Sequence, residues 1–388
     1  MSSTESATPS RSCAGTHPCM RNSHRRTILL VISDLRGGGA ERALSSLANH
    51  WSCHGFSVTF ITLCSPDAED FYALSKDVIR ETVHVPVSRW RIGNAIGLMR
   101  RVLVLRRLIS TARPYCVLSF LTENNIVTLA ATRGLALRTI VAERTHPAHH
   151  QPRLLFRVLR FLLYPTADAV AVQTMDIAAW VNRHLPGSKT VVIPNHLAVS
   201  PLPPQPRRST LLYVGRLCEE KQVSNLLAAF ATISHKFPNW MIEIAGTGPV
   251  ENELKHHAAR LGIDGQTRFL GQQRDVAALM CESGVFVLPS KYEGFPNALL
   301  EAMSAGMPVI ASSAAGNMLI CDGLNGLLYC SGNVEQLAER MTQMMESEAL
   351  RSRLGEEARK ARDSFHIDRI ATAWEELMLQ PVAPATLA

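Results

Sequence analysis

The sequence predicts two α/β domains of the doubly wound, parallel-sheet type, facing each other across a cleft. Three observations carry this. A short apolar run near the N-terminus passes through glycines straight into a helical pattern. A proline-rich break falls in the middle of the chain. After it the alternation of short apolar runs and amphipathic segments starts again. Hydrophobic residues make up 46% of the 388, enough for two cores, and aromatics only 6%, so the apolar mass is aliphatic, as parallel sheets covered by helices require.

Residues 1–25 are polar and rich in small residues; they read as a disordered tail and not as a signal peptide. "TILLVISDL" (27–35) is the first strand, "GGGAERALSSLANHW" the turn and helix after it, and "SVTFITL" (57–63) the next strand. Strand-like runs recur at 115–120, 138–142, 169–173 and 190–193, with helices between, so 26–198 reads as one domain. Residues 199–208 form an interdomain linker, because four prolines between Val199 and Ser209 can extend neither a helix nor an inner strand. The second domain, 209–365, runs through "TLLYVGRL", "WMIEIAGTG", "TRFLG", "VFVLPS", "PVIAS" and "GLLYC" as strands and ends in "VEQLAERMTQMMESEALRSRLGEEARKARDSF", read as helical throughout. A last helix, 366–380, carries an apolar stripe of Ile367, Ile370, Ala373, Trp374 and Leu377 that needs a surface to cover. Ligands of open parallel sheets bind beyond the carboxyl ends of the strands, so two such sheets share one cleft.

Nine cysteines lack metal-ligand or CxxC spacing and read as reduced thiols of a cytosolic protein; Cys13, His17 and Cys19 lie close together, but in the tail. Charge is uneven: residues 1–200 carry 23 Lys+Arg against 12 Asp+Glu. No acid occurs between Thr82 and Thr122, where seven arginines do, nor between Arg144 and Ala167. "NAIGLMRRVLVLRRLI" and "PRLLFRVLRFLLYP" therefore read either as ordinary surface helices with solvated arginines or as basic apolar faces resting on an anionic bilayer. No basic, aromatic-interleaved stripe points to nucleic acid, and no run of about 18 apolar residues spans a membrane.

Three places carry chemistry. Gly37, Gly38 and Gly39 follow the first strand and open a helix, which lets a diphosphate or a sugar approach the backbone; the same glycines also make a tight turn. The pattern is not GxGxxG, so a dinucleotide fits poorly. "VGRLCEEK" places Gly215, Arg216 and Lys221 at a loop-to-helix start, where the two cations suit one anionic group, or else serve as surface partners of Glu219 and Glu220. In "PSKYEGFPNALLEAMSAGMPVI", Glu293 sits in the loop, Gly294, Phe295 and Pro296 make the turn, and a helix begins near Asn297 and Ala298 with Glu301 one turn in. The free amides of such a helix start suit a phosphate, and the two carboxylates need hydroxyls or cations for partners.

These motifs resemble glycosyltransferase family 4, the retaining two-domain enzymes of the GT-B fold. The resemblance runs from Arg26 to about Leu379 and rests on Glu293-x7-Glu301 together with the upstream "VGRL…K". It implies an α/β fold of two Rossmann-like, doubly wound domains facing across a cleft, with the last helix crossing back to the first. It implies that Glu293 binds hydroxyls of the donor sugar and Glu301 the ribose. Arg216 and Lys221 grip the diphosphate, the Gly38–Gly39 backbone closes over it, and amides from Phe295 to Ala298 complete the pocket. "GGGAER" and "VAERTHP" resemble the subgroup that builds lipid-linked oligosaccharides or bacterial surface polysaccharides. The expected partners are a nucleotide sugar, UDP-linked by resemblance, and a saccharide or polyprenyl-diphosphate-linked acceptor. The expected place is the cytoplasmic face of the inner membrane, with no cofactor and no metal.

Two departures stand out. Where relatives carry a histidine after the strand "TIVAERTHP", Arg144 takes the place by position and His146 follows two residues on; Arg144 is the favoured candidate. The loop before "DGLNG" reads "SAAGNMLIC", with Asn317 and Leu319 where relatives carry a proline and an acid. Retention without a metal or a protein nucleophile implies front-side displacement, in which the leaving phosphate takes the acceptor proton. The competing readings are a nucleotide-sugar epimerase or hydrolase, which lacks an evident acid–base pair, a non-catalytic scaffold, which would not need Glu293, Arg216 and Lys221 together, and, least of all, an NAD-dependent oxidoreductase.

Overall fold

The computed structural model describes residues 26–63, 70–83, 91–149, 152–197, 206–273 and 275–380, without the side chains of 91–95. The tail 1–25 and most of the proline-rich stretch 199–208 lie outside the described residues. The first sheet has seven strands: β1 (Arg26–Ile32), β2 (Phe56–Thr62), β3 (Ile79–Thr82), β4 (Cys116–Phe120), β5 (Arg138–Ala142), β6 (Ala169–Val172) and β7 (Thr190–Val192). The second has six: β8 (Arg208–Val214), β9 (Met241–Ala245), β10 (Thr267–Gly271), β11 (Ser283–Leu288), β12 (Val309–Ser312) and β13 (Leu327–Tyr329). Every pairing in both is parallel.

The orders are β3-β2-β1-β4-β5-β6-β7 and β10-β9-β8-β11-β12-β13. Each reverses direction once, between β1 and β4 and between β8 and β11, which is where a doubly wound sheet opens a crevice. The fold is thus GT-B: two Rossmann-like sheets, each covered by helices.

Alternation along the strands sorts the helices of the first sheet. Ile28, Leu30 and Ile32 of β1, with Cys116, Leu118 and Phe120 of β4, pack under the helices Gly39–Cys53 and Ile367–Leu379. Leu29 and Val31 point the other way, onto Leu105 and Ile109 of the helix Arg91–Ala112 and Val127 of the helix Thr122–Thr132. On that same side, Val141, Val170 and Val172 meet Leu163 of the helix Leu154–Leu163 and Ile177 and Val181 of the helix Met175–His184. The two basic leucine-rich helices therefore lie on one face, with Thr122–Thr132 between them.

The final helix belongs to the first sheet's core although it follows the second sheet in sequence. Trp374 is buried against Phe120, with ring centroids 5.8 Å apart. Buried Arg138 donates from Nε to the Leu377 carbonyl at 2.7 Å and from Nη2 to Gln380 Oε1 at 2.9 Å, placing a cation where the helix leaves carbonyls unpaired. The amide of Leu197 donates to the Phe365 carbonyl at 2.7 Å, where the chain returns.

Two elements differ from the sequence reading. β3, "IRET", was not expected: a four-residue edge strand that is largely exposed has no apolar run to reveal it. The stretch 334–365 is broken into helices Val334–Glu346, Glu348–Arg359 and Ala361–Ser364. Ser347 ends the first and caps the second, its Oγ accepting the Leu350 amide at 3.1 Å, so a polar residue inside an unbroken helical periodicity marks a corner.

Candidate nucleotide-sugar cleft

The reversal point of the second sheet gathers Lys221, Ser290 and Glu293. Lys221 Nζ donates to both oxygens of Glu293, at 2.6 and 2.8 Å, and Ser290 Oγ donates to Glu293 Oε1 at 2.7 Å. Ser290 and Glu293 follow β11, while Lys221 closes the turn after β8, so neighbouring strands deliver opposite charges to one point. Arg216 does not share that point: it is 70% exposed and donates to Glu220 at 3.0 Å. A cavity of about 530 Å³ opens at the carboxyl ends of β8, β9 and β10, with Gly215, Arg216, Gly246, Thr247 and Gln272 around it and Gly37 and Tyr72 on the opposite wall.

The first half approaches this site through a glycine loop. A Cβ on Gly39 would lie 2.7 Å from Asn297 Nδ2, and one on Gly294 would lie 2.9 Å from the Arg144 carbonyl. Both contacts cross between the halves, and both close only because a hydrogen replaces a methyl group. Asn297 opens the helix Asn297–Ser304, and its Oδ1 accepts from Asn195 Nδ2 at 2.7 Å. Asn195 in turn accepts from Arg144. Arg42, from the "GGGAER" motif, is ion-paired with Glu301, a buried carboxylate of the same second-half helix. Phe295 is buried and Ala298 half-buried beside it.

Arg144 is buried, with its guanidinium 4.3 Å from the Phe120 ring centroid, and burial pushes it down to about 9, opposed by the Glu41 charge. Its neighbour His196 is also buried, neither ring nitrogen has a hydrogen-bond partner, and burial, then the charges of Arg144 and Arg42, pushes it down to about 3. Burial raises the Glu41 carboxyl. His146 turns elsewhere, to Asp176 at 2.9 Å. Asn317 and Leu319 belong to the short segment before the "DGLNG" turn, which closes with an Asp322–Gly326 bridge.

Sequence reasoning missed Arg42, Asn195 and His196. Arg42 and Asn195 meet residues of the other half, at separations that no local pattern encodes; the only signal was the presence of "GGGAER" and "PNH" just beyond strands. Glu293 and Glu301 are each paired with a cation in the present arrangement, Lys221 and Arg42 respectively. Among the described residues, no three His, Cys, Asp or Glu side chains gather as metal ligands, and no helix is long and apolar enough to cross a membrane.

Comparison with known proteins bears on both halves. Residues 38–196 match the family described as "Glycosyl transferase 4-like domain", and residues 200–361 match "Glycosyl transferases group 1". A relative from Campylobacter jejuni, GalNAc-alpha-(1->4)-GalNAc-alpha-(1->3)-diNAcBac-PP-undecaprenol alpha-1,4-N-acetyl-D-galactosaminyltransferase, is 28% identical over 91% of this chain and 98% of its own. The lipopolysaccharide core biosynthesis glycosyltransferase LpsE of Rhizobium meliloti is 29% identical over 43% of this chain and 49% of its own. Among solved structures, sucrose-phosphate synthase from Thermosynechococcus elongatus superposes with a TM-score of 0.77 at 20% identity, covering 91% of this chain and 98% of that one.

Proposed function

The chain is a glycosyltransferase of the GT-B fold, related to the family 4 enzymes that build lipid-linked and surface polysaccharides, and from that premise we propose that it moves a hexose or N-acetylhexosamine from a UDP-sugar to a polyprenyl-diphosphate-linked saccharide, with retention. The observation that carries the reading is the Lys221–Glu293–Ser290 cluster at the second sheet's reversal point, beside a cavity of nucleoside size and facing the glycine loop. The nucleoside enters the cavity at the ends of β8–β10. The diphosphate takes Lys221 from Glu293, meets Arg216, and rests on the amides that start the helix at Asn297. Glu293, released, accepts hydroxyls of the donor sugar; Glu301, released from Arg42, accepts those of the ribose. Gly38 and Gly39 close the backbone over the sugar, and Arg144 supports the phosphate side through Asn195 and Asn297.

In the transfer, the bond between the anomeric carbon and the phosphate oxygen breaks. The acceptor oxygen bonds to that carbon on the same face, and its proton passes to the departing phosphate. Lys221, Arg216 and the helix amides act by stabilising the charge that grows on that phosphate. The relative acting on a PP-undecaprenol-linked saccharide supports the lipid-linked acceptor.

The domain roles follow: 26–198 receives the acceptor, 209–365 the donor, and 366–380 ties the second to the first. Ile96, Met99, Leu103 and Val104 on one helix and Leu154, Leu155, Val158, Phe161 and Leu162 on the other are exposed, among exposed Arg100, Arg107, Arg153 and Arg157. Such a face supports peripheral docking on the anionic cytoplasmic leaflet. The sequence's arginine edges are not all of one kind. Arg106 turns inward to the carbonyls of Ala131 and Arg133 at 2.8 and 2.7 Å, and Arg160 is buried.

A calorimetric screen of nucleotide sugars, followed by mass spectrometry of products formed on lipid-diphosphate saccharides, tests the function. Binding without transfer to any acceptor, or release of free sugar only, overturns it. Flotation with phosphatidylglycerol vesicles tests the docking; recovery as low as with neutral vesicles refutes it.

A further inference from the structure

The groove between the helices Leu154–Leu163 and Met175–His184 stands apart from the donor site, and we propose that it holds the hydrocarbon chain of the acceptor lipid. The inference rests on the lipid-linked acceptor proposed above and deepens it. The groove has a volume of about 480 Å³ and apolar walls of Leu154, Val158, Phe161, Leu162, Trp180 and Leu185. Only its floor is finished: Leu185 is buried, while Leu154, Phe161 and Leu162 are each more than half exposed. A continuous apolar concavity left open in this way marks a place where an apolar group binds.

The groove's charged side chains are Arg157 and Arg160. Arg160 is 5% exposed and ion-paired at 4.0 Å with buried Glu143, while its Nε and Nη1 make no hydrogen bond. Its guanidinium lies 5.0 Å from the Trp180 ring centroid, and His184 stacks on the same indole at 4.4 Å. Arg157 adds an exposed charge at the rim. From Arg144 to Ala167 the chain contains no acid. Apolar walls with cations beside them complement an amphiphile whose head is negative.

The groove's position selects among amphiphiles. Ala148 is one of its lining residues. The next residue, His149, stacks on Tyr292 of the other half at 3.9 Å and 11°, and Tyr292 adjoins Glu293. A chain lying in the groove with its head toward Ala148 presents that head near the mouth of the cleft, next to the residue proposed to face the donor sugar. That continuity suits an acceptor whose saccharide must enter the cleft.

The test is calorimetry on the full chain with UDP held saturating, so that the donor phosphate site is filled. The probes are farnesyl diphosphate, inorganic diphosphate and dihexanoyl phosphatidylglycerol. Farnesyl diphosphate is expected to bind at least tenfold more tightly than either of the others. Ala148→Trp, which puts an indole into the groove from an exposed lining position without removing core packing, is expected to weaken it at least tenfold while leaving UDP affinity unchanged. Leu155→Gln, on the exposed face but outside the groove, is expected to leave it unchanged. Farnesyl diphosphate binding no tighter than inorganic diphosphate, or equally tight in Ala148→Trp, overturns the site. Equal binding of the phosphatidylglycerol overturns the assignment to the acceptor. UDP titrated alone reports on the transferase reading independently: its failure to bind counts against that reading, and the farnesyl comparison still decides the groove.

Discussion

Replacing Glu293 with Gln separates binding from transfer. In the resting cleft, Glu293 holds Lys221 at 2.6 and 2.8 Å, with side chains only 11% and 20% exposed. Two unit charges at such a distance attract by about 6 kcal/mol at an effective dielectric of 20. Water at the open side and the cost of desolvating both groups reduce the net pair to about 1–2 kcal/mol. A diphosphate arriving at Lys221 must first overcome that attraction. Gln has the same shape and no charge, so the variant presents Lys221 already free. UDP should therefore bind more tightly to Glu293→Gln, by about 1–2 kcal/mol, or about 5–30-fold in Kd. Transfer should fall by about a hundredfold or more, because the group that accepts the sugar hydroxyls is weakened. Calorimetry with UDP and mass spectrometry of product measure the two. UDP affinity unchanged or weaker in the variant would refute the exchange of carboxylate for phosphate.

Three further outcomes follow from the geometry. Arg216→Ala should weaken UDP binding by about 1 kcal/mol, the low end for a charged contact, because this guanidinium is mostly exposed; unchanged affinity by calorimetry places the phosphates elsewhere. Arg42→Ala leaves Glu301 buried without its cation and should lower stability in urea denaturation by about 1–3 kcal/mol, with most of the loss restored by adding Glu301→Gln; no restoration means the pair is not the cause. His196 stays neutral when folded down to a pKa of about 3, against an ordinary 6.5, so between those values the unfolded chain binds a proton that the folded one does not, and stability falls as pH falls. From pH 7.5 to 4.5 this one group should cost about 2–3 kcal/mol, and His196→Leu should remove that part of the slope in denaturation curves; an unaltered slope argues against a buried neutral ring.

What the sequence made legible was what neighbours along the chain decide. Both sheets follow from apolar runs whose alternate residues face opposite helices, and Lys221 and Glu293 each follow as loop residues beyond a strand, while their pairing needed the strand order of the sheet. β3 stayed invisible because an exposed edge carries no apolar signature. The corner at Ser347 was hidden because the apolar period continues across it. The bridges Arg42–Glu301 and Arg144–Asn195–Asn297 join residues that only the closed arrangement brings together. A leucine-and-arginine stripe also left undecided which arginines turn inward; Arg106 and Arg160 do so because helix carbonyls and an indole face lie beneath them.

The bond from Leu197 to the Phe365 carbonyl has a mechanical meaning. The polypeptide passes between the lobes twice, and the two passages are pinned to each other beside Phe295, whose ring lies 6.0 Å from that of Phe365. Two crossings held together at one point leave the halves less freedom to shift against each other than two independent strands would.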